Sequence, residues 1–222
     1  MSIHLQRDLE ALEQNLLSQS SLVEQMVFRA AQSLRELRVE IAQEVIASEE
    51  TVNYREVEIE EECLKILALH QPVAVDLRRV ATVLKINSDL ERIADLAVNI
   101  SERTHSLALY PDFQMPAHLD QMVEAALTMV RESLDAFVRL DVNAAREVCL
   151  RDDEVDELNR QLISDLYDLV QANPTDIEAA FHFYSASRHV ERIADHATNI
   201  SEDVIYLVDG EIARHRHDGI TY

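Results

Sequence analysis

The chain has 222 residues, enough to bury a real core in one domain or two small ones. Two glycines and four prolines leave too little turn chemistry for sheets, which need punctuation every ~8–12 residues, so the composition points to an all-α protein. A formal net charge of −22 repels nucleic acid and anionic membrane surfaces, and offers many carboxylates to cations or basic partners.

Six helices are predicted, at 2–36, 39–70, 73–109, 116–138, 142–172 and 175–209. The N-terminal MSIHLQRDLEALEQ has no apolar signal core, and no window reaches the ~18–20 apolar residues of a membrane span, so a soluble chain is expected. The breaks near Leu37 and Leu140 carry weak signals; Asp141 is a candidate N-cap, with no equivalent in the first half. Pro72 and Pro174 mark corresponding joints, and Pro111 and Pro116 bracket the midpoint. Gly210 ends the last helix, and RHRHDGITY reads as a frayed tail. Cys63 and Cys149 lie far apart inside helical patterns, without a CxxC neighbour, so no disulfide framework or thiolate metal site is expected and a reducing cytoplasm is the simplest home.

The sequence repeats itself. ERIADLAVNISE from Glu91 returns as ERIADHATNISE from Glu191, ten of twelve positions being identical. At an offset of 103, VEIAQEVIASEETVN from Val39 matches VNAAREVCLRDDEVD from Val142, and Met26, Val27 and Leu37 match Met129, Val130 and Leu140. Two sequential three-helix bundles follow, 1–112 and 113–222.

On a helix of about 100° per residue, Glu91, Asp95, Asn99 and Glu102 share one arc, while Leu90, Ile93, Ala94, Ala97 and Ile100 occupy another. Glu191, Asp195, Asn199 and Glu202 repeat this strip. The preceding helix carries Glu49, Asn53 and Glu56 on a narrow arc, with repeat mates Asp152, Asp156 and Asn159. Helices folded back around Pro72 and Pro174 bring the acidic positions to similar heights, about 25–30 Å from each turn.

Carboxylates gathered in this way repel one another unless protonated, ion-paired or metal-bound. Oxygen ligands suit hard or borderline cations such as Mg²⁺, Mn²⁺, Ca²⁺ or iron. The competing reading is a solvated helix face with salt bridges from Arg92 to Asp95 and from Arg192 to Asp195. His196 has Leu96 as its repeat mate and reads as an ordinary boundary histidine. Glu102 and His105 form one Glu-x-x-His pair, but the repeat offers Glu202 and Ile205, which counts against di-iron oxidase chemistry. The HRH run at 215–217 reads as incidental, and no phosphate-cradling loop or nucleophile–base pair is present. A carboxylate-bridged metalloenzyme, a phosphohydrolase or oxidase, is the alternative function class.

The doubled ERIAD, QPVAVDLRRV from Gln71 and YLVDGEIARH near the end closely resemble the PhoU family, accessory regulators of bacterial high-affinity phosphate transport. The resemblance covers nearly the whole chain. It implies a cytoplasmic, non-enzymatic, usually dimeric protein that represses the phosphate-starvation response. Such a protein links the ATP-binding subunit of a phosphate ABC transporter to a sensor histidine kinase, and meets the membrane through partners only. It also implies metal ions on the acidic faces, with magnesium, manganese, iron or zinc as candidates. The implied ligands are Glu49, Glu91 and Asp95 in the first half, and Asp152, Asp156, Glu191 and Asp195 in the second. Asn53 departs from its mate Asp156 and predicts a weaker first site, while Glu102 and Glu202 join by arc alone.

Overall fold

The computed structural model describes residues 3–210. The first residue of the predicted opening helix, the RHRHDGITY tail and its HRH run lie outside them. Six α-helices follow in order: α1 (Ile3–Glu36), α2 (Val39–His70), α3 (Ala74–Leu107), α4 (His118–Arg139), α5 (Val142–Ala172) and α6 (Ile177–Asp209). The start predicted at 175 is a 3₁₀ turn, Pro174–Asp176, with proline at its first position, so α6 begins two residues later. Other boundaries fall within two residues of expectation.

The weak breaks have a common cause. Leu37 (φ 50°) and Leu140 (φ 54°) are both left-handed, closing α1 and α4 in register with the repeat. Arg38 donates its amide to the Ser33 carbonyl at 2.9 Å and Asp141 donates to Ala136 at 3.0 Å, the 6→1 bond of a Schellman end. Glycine usually occupies this position because a Cβ there costs about 1–2 kcal/mol; with leucine in its place the sequence signal vanishes. Downstream the halves differ: the Asp141 carboxylate accepts from Asn143 and Ala144 at 3.0 and 3.1 Å, whereas Arg38 gives α2 no side-chain cap.

Each half is a three-helix bundle, and α3 and α6 pack antiparallel at the centre of the molecule. Their register is fixed by Arg78 donating to the Leu207 carbonyl (3.1 Å), Lys85 on Asp203 (2.8 Å) and His196 on Asp89 (2.8 Å). Asp203 is fully buried, and the Lys85 ammonium also stands 5.0 Å from the centre of the Tyr206 ring. α1 and α4 form a second, smaller contact between the halves, carrying the ion pairs Arg35–Asp120 (3.3 Å) and Arg131–Glu24 (2.5 Å). One apolar cluster runs through both halves, including Leu16, Ile86, Ile93, Met122, Phe137, Phe183 and Ile193. The connection between α3 and α4 is pinned on the second bundle by Phe113 against Phe183, centroids 6.0 Å apart. Buried polar links tie α1 to α3: Gln19 Nε2 donates to Asn87 Oδ1 (3.1 Å), and Ser33 bonds Thr104 (2.9 Å).

Candidate metal centres

The packing of α2 on α3, and of α5 on α6, places the acidic arcs against one another. In the second half the Asp152 carboxyl is pushed up to about 6, by burial first and then by the charges of Asp195, Asp156, Asp153 and Glu191. Glu191 is raised by burial, relieved by Arg188, and raised again by Asp195 and Asp156. Asp195 is raised by burial and by Asp156, against the lowering pull of His196, Arg188 and Arg192. Carboxylates from two helices therefore share one field.

The first half repeats this with different neighbours. Glu91 is raised by burial, then by Asp95, with Glu56 and Glu49 of α2 adding to the effect and Arg92 opposing it. Glu56 is itself raised, by burial and then Glu60. Glu49 is half-buried and Asn53 exposed. Glu102 pairs with Arg103 at 3.5 Å, whereas Glu202 joins Asp152 and Asp195 in lining a cavity of about 640 Å³ between α3 and α6.

By donor type these side chains suit a hard cation, all being oxygens, and at Glu91, Asp152, Glu191 and Asp195 burial and then neighbouring carboxylates disfavour the ionised form. Among the described residues, no three His, Cys, Asp or Glu side chains converge closely enough to enclose an ion as they stand. To be enclosed, a cation would have to draw Glu49, Glu91 and Asp95, or Asp152, Asp156, Glu191 and Asp195, closer together than they stand. Thiolates are not available: burial holds Cys63 at about 12, and burial with Glu202 and Asp152 holds Cys149 at about 11.

The salt bridges from Arg92 to Asp95 and from Arg192 to Asp195 do not form among the described residues. Arg188 instead takes Glu191 one turn away, and Asn159, buried, reaches the same carboxylate at 3.5 Å. The Arg188–Glu191 pair was open to sequence reasoning as an i,i+3 spacing. Lys85 and Arg92 lining a cavity with Asp152 and Asp195 was not, since it depends on how α3 crosses α6. His196 is the half-buried boundary histidine expected, held on Asp89 of the opposite half.

The chain matches the PhoU domain twice, over residues 16–104 and 119–204. The chain belongs to the PhoU family. Members of the family resemble it along its length: a PhoU homolog of the phosphate-specific transport system from Aquifex aeolicus is 40% identical over 211 residues, 95% of this chain and 96% of the relative. One from Deinococcus radiodurans is 36% identical, over 93% and 97%. The crystal structure of PhoU from Pseudomonas aeruginosa superposes with a TM-score of 0.86 at 35% identity, covering 93% of this chain and 99% of that one. The phosphate transport system regulatory protein PhoU from Streptococcus pneumoniae gives 0.88 at 28%, covering 94% and 98%.

Proposed function

We propose that this protein is a non-enzymatic, metal-binding regulator of phosphate uptake, which represses the phosphate-starvation response by coupling a phosphate ABC transporter to a sensor histidine kinase. The observation that carries the reading is similarity along the whole chain, in both domain copies, to proteins named as accessory to phosphate-specific transport. No described helix is long and apolar enough to cross a membrane, which agrees with a cytoplasmic adaptor that reaches the membrane through the transporter's ATP-binding subunit.

Glu49, Glu91 and Asp95 would hold metal in the first half, and Asp152, Asp156, Glu191 and Asp195 in the second, with Glu102 and Glu202 at their margins. A bound divalent or iron-type ion supplies positive potential on a strongly negative protein. With such an ion bound the carboxylates would no longer repel one another, which would stiffen the existing packing of α2 on α3 and of α5 on α6. Regulation follows from differential binding: the adaptor, as a homodimer, holds the kinase in its phosphatase-favouring state only while the transporter is in one conformation.

A phosphate-repressed reporter tests the role. Deleting the gene should release the reporter in rich phosphate, wild type should restore repression, and Asp95→Ala with Asp195→Ala should not. Repression that persists in the deletion strain would falsify the regulatory reading. Metal-dependent turnover of phosphate esters or dioxygen by the purified protein would favour the metalloenzyme instead.

A further inference from the structure

The groove between α5 and α6 is divided along its length. Towards the Pro174 turn it is apolar: Ile163, Tyr167 and Val170 of α5 face Ile177, Phe181 and Tyr184 of α6 across a cavity of about 240 Å³. Each set follows the i, i+4, i+7 spacing of one helix face. Tyr167 is 64% and Phe181 66% exposed, and Ile163, Ile177 and Tyr184 are also open to solvent, so the rings form a contiguous patch rather than scattered surface residues. Further from the turn the same two arcs carry Asp152 and Asp156 on α5 and Asp195 on α6. Asp156 and Asp195 are exposed, and none of the three aspartates is in an ion pair among the described residues, Arg188 being taken by Glu191.

The first half is an internal control. The repeat mates of Ile163, Tyr167, Phe181 and Tyr184 are Glu60, Leu64, Ala81 and Leu84. That bundle folds on the same plan with no aromatic ring at any of these places and a carboxylate at one of them, so packing does not require the three rings of the second half. Exposed aromatic side chains collected in one groove are instead the residues that anchor protein interfaces, where each buries a large apolar area at little cost in side-chain freedom.

We propose that the outer α5–α6 groove docks an amphipathic helix of a partner protein, whose apolar side chains seat between Tyr167 and Phe181 and whose Lys or Arg side chains lie against Asp156 and Asp195. Helix-in-groove recognition uses anchors at i, i+3 or i+4 and i+7, the rhythm this groove already has. Tyr184 and Asp195 stand about 17 Å apart along α6, so the cations of the partner lie about three turns beyond its last apolar anchor. Charge complementarity selects this occupant: an apolar trough ending in aspartates attracts a segment that is apolar at one end and basic at the other. A second copy of this chain brings another net charge of −22 to an acidic groove, which disfavours self-association on this face.

The docking site stands whether or not the acidic strip takes up an ion, and its test is run in EDTA so that failure of the metal reading leaves it untouched. Two fluorescent helical peptides of about 20 residues, with leucines at the anchor spacing and lysines about three turns away, are titrated with the full chain by anisotropy. One carries its lysines toward the C-terminus and the other toward the N-terminus. One of them should bind, more weakly as salt rises, and the same peptides with glutamate for lysine should not. Tyr167→Leu with Phe181→Ala installs the residues of the first half on an exposed face. This variant should lose affinity roughly tenfold or more with an unchanged unfolding midpoint, whereas Leu64→Ala should bind as wild type does. Asp156→Asn with Asp195→Asn should flatten the salt dependence. Failure of both lysine peptides to bind, equal binding of the glutamate peptides, or full affinity in the Tyr167→Leu/Phe181→Ala variant overturns the proposal. So does a concentration-dependent dimer in sedimentation that the same variant abolishes, since the occupant is then a second copy.

Discussion

The two acidic strips descend from one repeated phrase, yet their surroundings have diverged. At Glu91 the preceding turn offers Ser88; at Glu191 it offers Arg188, which pairs with the carboxylate. On the neighbouring helix Glu56 of the first strip corresponds to the buried Asn159 of the second, and Asn53 to Asp156. Each strip therefore carries four carboxylates at these positions, but the second places one at Asp156 in place of Glu56 and uses Arg188 and Asn159 to hold Glu191, whereas no arginine or amide of the first strip holds Glu91 among the described residues. The lesson is that repetition preserves where oxygens stand, whereas single substitutions one turn away set how strongly each strip demands a cation.

The largest asymmetry is in the core. Phe183 is fully buried and carries the α3–α4 connection through Phe113, while its repeat mate Val83 is buried with no such duty. Phe183→Ala should cost about 3–5 kcal/mol and Val83→Ala about 2 kcal/mol in denaturant unfolding. Equal losses would show that the connection adds nothing to the second bundle.

Asp152 gives the next effect. Its folded value of about 6 lies above the ordinary 3.8, so folding favours the protonated acid. This stabilisation is complete below pH 3.8 and is lost as pH rises through about 6. Discounted for its partial exposure, it amounts to about 1–2 kcal/mol. Metal-free wild type should lose that much more stability than Asp152→Asn between pH 4 and 7, and metal should abolish the difference by holding the ionised form. Matching pH profiles for the two proteins would show that the Asp152 carboxyl is not crowded by its acidic neighbours.

Asn53→Asp tests the divergence at the first strip. One added carboxylate should tighten metal binding there roughly tenfold by isothermal titration, moving it toward the second site. The smallest effect belongs to the caps: Asp141→Ala should cost about 1 kcal/mol, and Arg38→Ala should stay within about 0.5 kcal/mol. A comparable loss at Arg38 would reveal a cap that the backbone geometry does not show.

Much of this was legible from the chain. Six amphipathic segments and scarce glycine dictated helices, and the offset of 103 between Leu37 and Leu140 located both joints even though left-handed leucines hid their chemistry. The crowding of Asp152 with Asp195, and of Glu91 with Glu49, follows from helical arcs and distance to a turn, both local quantities. Arg92 and Arg192 resisted the same treatment. Spacing three residues from an aspartate favours a local salt bridge, and nothing in either helix alone announces a competing environment.

What the sequence by itself determined was the helices, their doubling and the oxygen-bearing arcs, because periodicity and chain length act within one helix or across one turn. What only the tertiary structure decided was the antiparallel crossing of α3 and α6, which turns the arginine of one half toward the carboxylates of the other. That crossing is set by the fit of two apolar surfaces about 100 residues apart in the chain, and such complementarity has no periodic trace in either segment.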